Sequence, residues 1–386
     1  MTERAYLDWN ATAPLRPQAL AATLAALDTC GNPSSIHAEG RAVRRLLEVA
    51  RRQVAALVGA EPQNVVFTSG GTEANALALS PGIGTGGAAC DRLLVSAIEH
   101  PSVLAGGRFP AAKVEQVPVT ADGCIDLAAL AKALDAPRGR RLVSLMLANN
   151  ETGVLQPVSE AAAMVHEAGG LLHVDAVQGP GRIACDINEI GADLLTVSSH
   201  KIGGPKGVGA LVRRSQALHF ADPLIKGGGQ ERGARAGTEN VPGIAGFGAA
   251  AVAALEELST ASARMTVLRD RLETGLKAIS PEVIIFGQEA ARLPNTTLFA
   301  VPGMKAETAV IAFDLEGVAV SSGAACSSGK VAPSHVLAAM GVPPVLARAG
   351  VRVSLGPTTA ESDIDCCLNA WRKLFQSLTS RRDIAA

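Results

Sequence analysis

The chain has 386 residues, 48% hydrophobic and 18% charged, with a formal net charge of −1. At roughly 100–200 residues per domain this length suits two domains with sizeable cores, and the composition is not that of a disordered chain. No basic excess points to nucleic acid or an anionic membrane as partner, and with 3% aromatic residues a base-stacking platform is not expected.

The seven cysteines are scattered and form no CxxC, which argues against a zinc site or a disulfide framework and suits a reducing, cytoplasmic setting. Residues 1–17 carry charges and lack the apolar run of a secretion signal. The uncharged stretch 241–255 is too short to span a bilayer comfortably and reads as a buried helix.

Apolar runs expected to form strands fall at 65–68, 93–98, 142–147, 171–177, 194–198 and 209–213, with amphipathic stretches such as 157–168 between them. Short, nearly continuous apolar strands alternating with helices predict a parallel sheet buried on both faces. From about residue 241 the pattern changes. One long helical segment is expected to about 279, then strands at 283–286, 295–301, 318–322 and 351–355. Helices are expected at 305–315, after Pro333 and from about Glu361, so this part reads as a smaller α+β domain.

In a parallel sheet, ligands bind beyond the carboxyl ends of the strands, so the polar residues just after each run are candidates. Lys201 follows the 194–198 run in Ser-Ser-His-Lys-Ile-Gly-Gly. A lysine desolvated there has a lowered pKa and a lone pair available for an aldehyde. Asp175, at the end of an earlier run, fits the carboxylate partner that pyridoxal 5′-phosphate (PLP) needs at its pyridinium nitrogen. Ser-Gly-Gly-Thr at 69–72, including Gly71 and Thr72, has the glycines and helix start of a phosphate cup, with Ser198 and His200 as further donors. His100 is placed to lie on a ring or move protons, and Asn150 and Gln178 offer amides. His173 and Asp175 lack a third ligand at metal spacing, so no metal is expected. Cys326 sits in the small, polar run Ser-Ser-Gly-Ala-Ala-Cys-Ser-Ser-Gly-Lys, suited to a thiolate that reaches into a site. Arg352, in the 351–355 strand, is a candidate fork for a carboxylate.

These motifs together resemble the cysteine desulfurases, fold-type I PLP enzymes of the class V aminotransferase family. The likeness runs from Tyr-Leu-Asp-Trp-Asn-Ala-Thr-Ala-Pro at 6–14, through Glu-His-Pro-Ser at 99–102, Asn-Asn-Glu-Thr-Gly at 149–153 and His-Val-Asp-Ala-Val-Gln at 173–178. It continues with Gly-Gly-Gly-Gln-Glu-Arg-Gly at 227–233, Arg-Ala-Gly-Thr-Glu-Asn at 235–240 and Arg-Val-Ser-Leu-Gly at 352–356. The resemblance implies an α/β fold whose large domain, residues 15–255, holds a mostly parallel seven-stranded sheet. A smaller α+β domain, residues 1–14 and 256–386, would carry the cysteine loop.

The resemblance also implies roles. Lys201 would be the lysine that bonds the cofactor, Asp175 the pyridinium partner, and His100 the stacking and proton-transfer group. Thr72, Ser198 and His200 would bind phosphate, with Thr238 donated across a homodimer interface. Asn150 and Gln178 would contact the ring oxygen, Arg352 with Asn150 the substrate carboxylate, and Cys326 would be the nucleophile that receives sulfur from L-cysteine. The wording around Cys326 is similar to the nitrogenase-associated branch of group I, and the short tail after the last helix agrees with it. A sulfur-acceptor or iron–sulfur scaffold protein is the expected partner. The rival readings are an aminotransferase of small amino acids, a selenocysteine lyase, and a non-catalytic protein on the same fold.

Overall fold

The computed structural model describes residues 4–84, 89–135, 139–323 and 334–385. A seven-stranded sheet runs, from one edge to the other, Val65–Thr68, Gly209–Arg213, Leu194–Ser198, Leu171–Asp175, Arg140–Met146, Cys90–Ser96 and Val114–Val117. All strands share one direction except Gly209–Arg213, which is antiparallel to both neighbours. The parallel strands are nearly continuous apolar runs because both faces are covered. Alternate side chains feed two separate cores. Leu94, Val143, Leu172 and Leu195 face one layer of helices, and Leu93, Leu142, Leu171 and Leu194 face the other.

The edge strand Val114–Val117 is absent from the sequence reading. Its Glu115 and Gln116 are exposed, so it lacks the apolar run that marks the inner strands. The helix expected over 241–279 is two helices, Val241–Glu256 and Leu258–Ile279, bent by 70° at the break. The reason is a change of core. The first helix is rich in Ala and Gly and packs against Pro17–Leu27 and Ala38–Leu57; at Gly248 a Cβ would stand 2.7 Å from the Ala50 Cα. The second places Met265, Leu268 and Leu272 in a different cluster and packs on the last helix, Glu361–Ala385. Among the described residues no single helix is long and apolar enough to cross a membrane.

That second cluster lies around a four-stranded antiparallel sheet in the order Ile284–Ile285, Thr296–Ala300, Val351–Ser354 and Ser321–Ser322. The fully buried Trp371 anchors it, edge-on to Phe299 at 5.2 Å and stacked on Phe313 at 6.4 Å. The N-terminal strand Ala5–Tyr6 pairs with Val318–Ala319, and Asp8 bridges to Ser354, so the chain's start is built into this second body. Ile98 and Met146, from strand ends of the large sheet, join the same cluster and bring the two bodies together over the site.

Candidate active site

The carboxyl ends of the parallel strands open onto a cavity of about 310 Å³. Gly71 and Thr72 reach it after the first strand, His100 after Cys90–Ser96, and Asn150 after Arg140–Met146. Asp175 and Gln178 follow Leu171–Asp175, and Ser198, His200 and Lys201 follow Leu194–Ser198. Arg352 enters from the antiparallel sheet. Thr238 is exposed and is not part of this chain's pocket, and Cys326 lies outside the described residues.

Lys201 ends a single 3₁₀ turn, and its Nζ donates to the backbone carbonyls of Asn10 and, at 3.0 Å, of Ala11. The N-terminal segment thus aims the amine into the cavity. The reading of the sequence did not single out Asn10 and Ala11; the signal was the motif at 6–14, which contains both.

Opposite, Asp175 is 7% exposed and its carboxylate is braced on both oxygens. Oδ1 accepts from the Val177 N–H at 3.0 Å and Oδ2 from the Asn75 side-chain amide at 2.8 Å. Asn75 also donates to Ser102 Oγ at 2.9 Å, and that hydroxyl meets His100 Nδ1 at 2.8 Å. Since the Ser102 N–H donates to the same Nδ1 at 3.1 Å, a neutral His100 carries its proton on Nε2. Burial holds the His100 pKa down, with Lys201 and His335 pushing the same way and Asp175 opposing. Beneath this layer His173 is fully buried between Ser144 Oγ and Thr196 Oγ1, and burial pushes its pKa down to about 4. It is a neutral core histidine, and the described residues contain no cluster of metal-ligating groups.

The phosphate-cup residues meet at one end. Helix Gly71–Ala78 begins there, and a Cβ on Gly71 would stand 3.0 Å from Val177 Cγ2 and 3.6 Å from Ser198 Cβ, so that position leaves little room for a side chain. Ser198 Oγ is buried without a protein partner, as is Gln178 Oε1. His200 bonds Thr12 Oγ1 at 3.1 Å, and burial beside Lys201 and Lys206 pulls its pKa down to about 4. The orphaned Ser198 hydroxyl, a donor next to a helix start and a glycine pair, fits a phosphate at this end, with an aldehyde within reach of Lys201 and a ring nitrogen at Asp175. At the other end, Arg352 is 2% exposed. It donates from Nη1 to the Asn150 carbonyl at 3.0 Å and from Nη2 to Asp8 Oδ1 at 2.7 Å.

The sequence matches the family described as Aminotransferase class-V over residues 5–366. It is 45% identical to a cysteine desulfurase of Cereibacter sphaeroides, covering 97% of each chain. It is 39% identical to cysteine desulfurase IscS of Dictyoglomus turgidum, over 98% of this chain and 96% of that one. Among solved structures it is similar to a NifS-like protein of Rickettsia africae, with a TM-score of 0.87 and 35% identity over 97% of this chain and all of the other. A class-V match over nearly the whole length and these identities lead to one assignment: the chain belongs to the class-V aminotransferase family and, within it, to the PLP-dependent cysteine desulfurases.

Proposed function

We propose that the cavity binds PLP and L-cysteine, and that the sulfur of cysteine is passed to Cys326 with release of L-alanine. The observation that carries the reading is the meeting of Lys201, Asp175, His100 and Arg352 around one cavity in a chain related to cysteine desulfurases. Bound there, the protonated pyridine ring supplies an electron sink for the substrate α-carbon.

Lys201 would hold the cofactor through its amine, and its Nζ would be the base that takes the substrate α-proton. Asp175 keeps the ring nitrogen protonated. Thr72, Ser198 and His200 hold the phosphate around Gly71, while Asn150 and Gln178 turn amides toward the ring oxygen. His100 would face the ring and move protons through Nε2. Arg352, with Asn150, fixes the substrate carboxylate. The Cys326 thiolate attacks the substrate sulfur: a sulfur–sulfur bond forms, the carbon–sulfur bond breaks with its electron pair left on carbon, and that carbon takes up a proton to become the methyl group of alanine.

We extend the proposal to a homodimer in which Thr238 of the partner subunit completes the phosphate cup. Thr238 is exposed here, and its segment is held by Arg235 to Glu73 at 3.0 Å and by the buried pair of Glu231 with Arg51 at 2.7 Å. We take residues 15–255 as the large domain and 1–14 with 256–386 as the small one; the shared burial of Ala5, Leu7 and Trp371 in one cluster supports this division. We place the enzyme in the cytoplasm, delivering sulfur to an iron–sulfur assembly scaffold of the nitrogenase-associated type, on the wording around Cys326. Relatives bearing the IscS name, including an IscS-like desulfurase of Mycobacterium tuberculosis at 39% identity, favour general cluster assembly as the second reading.

The test is to mix the PLP-loaded protein with L-cysteine and a thiol reductant and measure sulfide and alanine. Equal yields, lost in Cys326→Ser, support the desulfurase reading. A change in cofactor absorbance without sulfide overturns it in favour of transamination.

A further inference from the structure

Glu151 is 3% exposed, sits beside the cavity, and has no part in the reaction above. Asn149 builds the turn that carries it: Asn149 Oδ1 accepts from the N–H groups of Glu151 at 2.9 Å and Thr152 at 3.0 Å, and its carbonyl accepts from Gly153 at 2.9 Å. The same turn presents the Asn150 carbonyl to Arg352.

The carboxyl group of Glu151 reaches residues of the second body. Its Oε2 accepts from Ser334 Oγ at 2.6 Å, and a Cβ on Gly323 would stand 3.0 Å from the same oxygen. Gly323 and Ser334 are the residues that bracket 324–333, the stretch containing Cys326. Ser334 also caps helix His335–Ala339 through the Leu337 N–H at 3.1 Å, and His335 Nε2 donates to the Glu99 carbonyl at 2.9 Å, next to His100. A buried carboxyl is costly unless hydrogen-bonded, and here one oxygen accepts from Ser334 and lies close beside Gly323.

We infer that Glu151 is a positioning residue for sulfur transfer: from the turn that also holds Arg352, it fixes Gly323 and Ser334, the described residues on either side of the stretch carrying Cys326. The inference rests on the reading of Cys326 as the sulfur-accepting thiol. A group misplaced by about an ångström loses up to roughly a hundredfold in rate, so the effect is measurable even where the fold survives.

Three PLP-loaded variants test it: Glu151→Ala, Glu151→Gln and Gly323→Ala, the last pressing a methyl group against the carboxyl oxygen. Two readouts are compared with wild type, namely the alkylation rate of Cys326 in substrate-free protein and the single-turnover rate of persulfide formation after L-cysteine addition. Glu151→Ala and Gly323→Ala should shift alkylation several-fold and slow persulfide formation about tenfold or more, while the cofactor absorbance change with L-cysteine keeps its concentration dependence. Glu151→Gln, which retains an acceptor for Ser334, should stay near wild type. A melting temperature lowered in Glu151→Ala with both rates unchanged would reduce Glu151 to a structural cap partner and overturn the inference, as would equal loss of L-cysteine binding. If wild type itself forms no persulfide on Cys326, the desulfurase reading fails, and the alkylation rates still decide whether Glu151 positions that thiol.

Discussion

Asn75 donates its side-chain amide to Asp175 Oδ2 at 2.8 Å, and both side chains are buried. The same amide reaches Ser102, which meets His100, so one residue braces the carboxylate at one wall of the cavity and the histidine at the next. Replacing Asn75 by Ala leaves one carboxylate oxygen of Asp175 short of a donor, a defect on the order of 1–3 kcal/mol. We expect weaker PLP retention on dialysis together with a lower kcat. Unchanged values for both would show that Val177 N–H alone suffices.

Lys201→Ala should abolish the visible absorbance of a lysine-bound cofactor. Lys206→Ala should keep it, because Lys206 lines a separate cleft with Tyr6, Thr12 and Pro205. Borohydride reduction followed by peptide mapping identifies the attached lysine directly. Cofactor found on Lys206 would reverse the assignment.

The Arg352 guanidinium is held by Asp8 and the Asn150 carbonyl before any substrate arrives. A charge-assisted hydrogen bond is worth roughly 1.5–3 kcal/mol, so Arg352→Ala should raise KM for L-cysteine by about ten- to a hundredfold. Asp8→Asn removes the charge but keeps an acceptor, and its smaller effect should fall on KM rather than kcat. A loss confined to kcat in either variant would count against carboxylate anchoring.

Burial pushes the Glu151 carboxyl up to about 7 from an ordinary 4.5, outweighing Ser334 and Arg352, which act the other way. The folded protein therefore binds this proton more readily than the unfolded chain. The contribution to stability is complete below about pH 4.5 and is lost as pH rises through about 7, with a slope of about 1.4 kcal/mol per pH unit. Glu151→Gln has no such proton, so its stability relative to wild type should improve between those values. Parallel stability-against-pH curves for the two proteins, from denaturant unfolding, would show that Glu151 titrates normally.

The sequence by itself determined the family and which residues meet at the cavity. Short buried strands place the residues that follow them at one end of a parallel sheet, so Thr72, His100, Asn150, Asp175, Ser198 and Lys201 were legible as one site from the runs that precede them. Strand periodicity also located the inner strands to within a few residues, because burial on both faces leaves a continuous apolar run. It did not reveal Val114–Val117, whose edge position exposes Glu115 and Gln116, or the break at Glu257, where the helix passes from one core to another without a Gly or Pro to mark it.

Only the tertiary structure decided how the site residues are held. Asn10 and Ala11 reach Lys201 across some 190 positions, Asp8 reaches Arg352 across 344, and Asn75 reaches Asp175 across 100. Glu151 reaches Ser334 across 183. Lys201, Asp175, Glu151 and Arg352 stand in motifs that the sequence presents openly, but their partners are chosen by tertiary packing, within the large body for Asp175, within the second body for Arg352 and between the two for Lys201 and Glu151. Local periodicity records which face of an element is buried; it carries no record of which distant side chain will complete a hydrogen bond there.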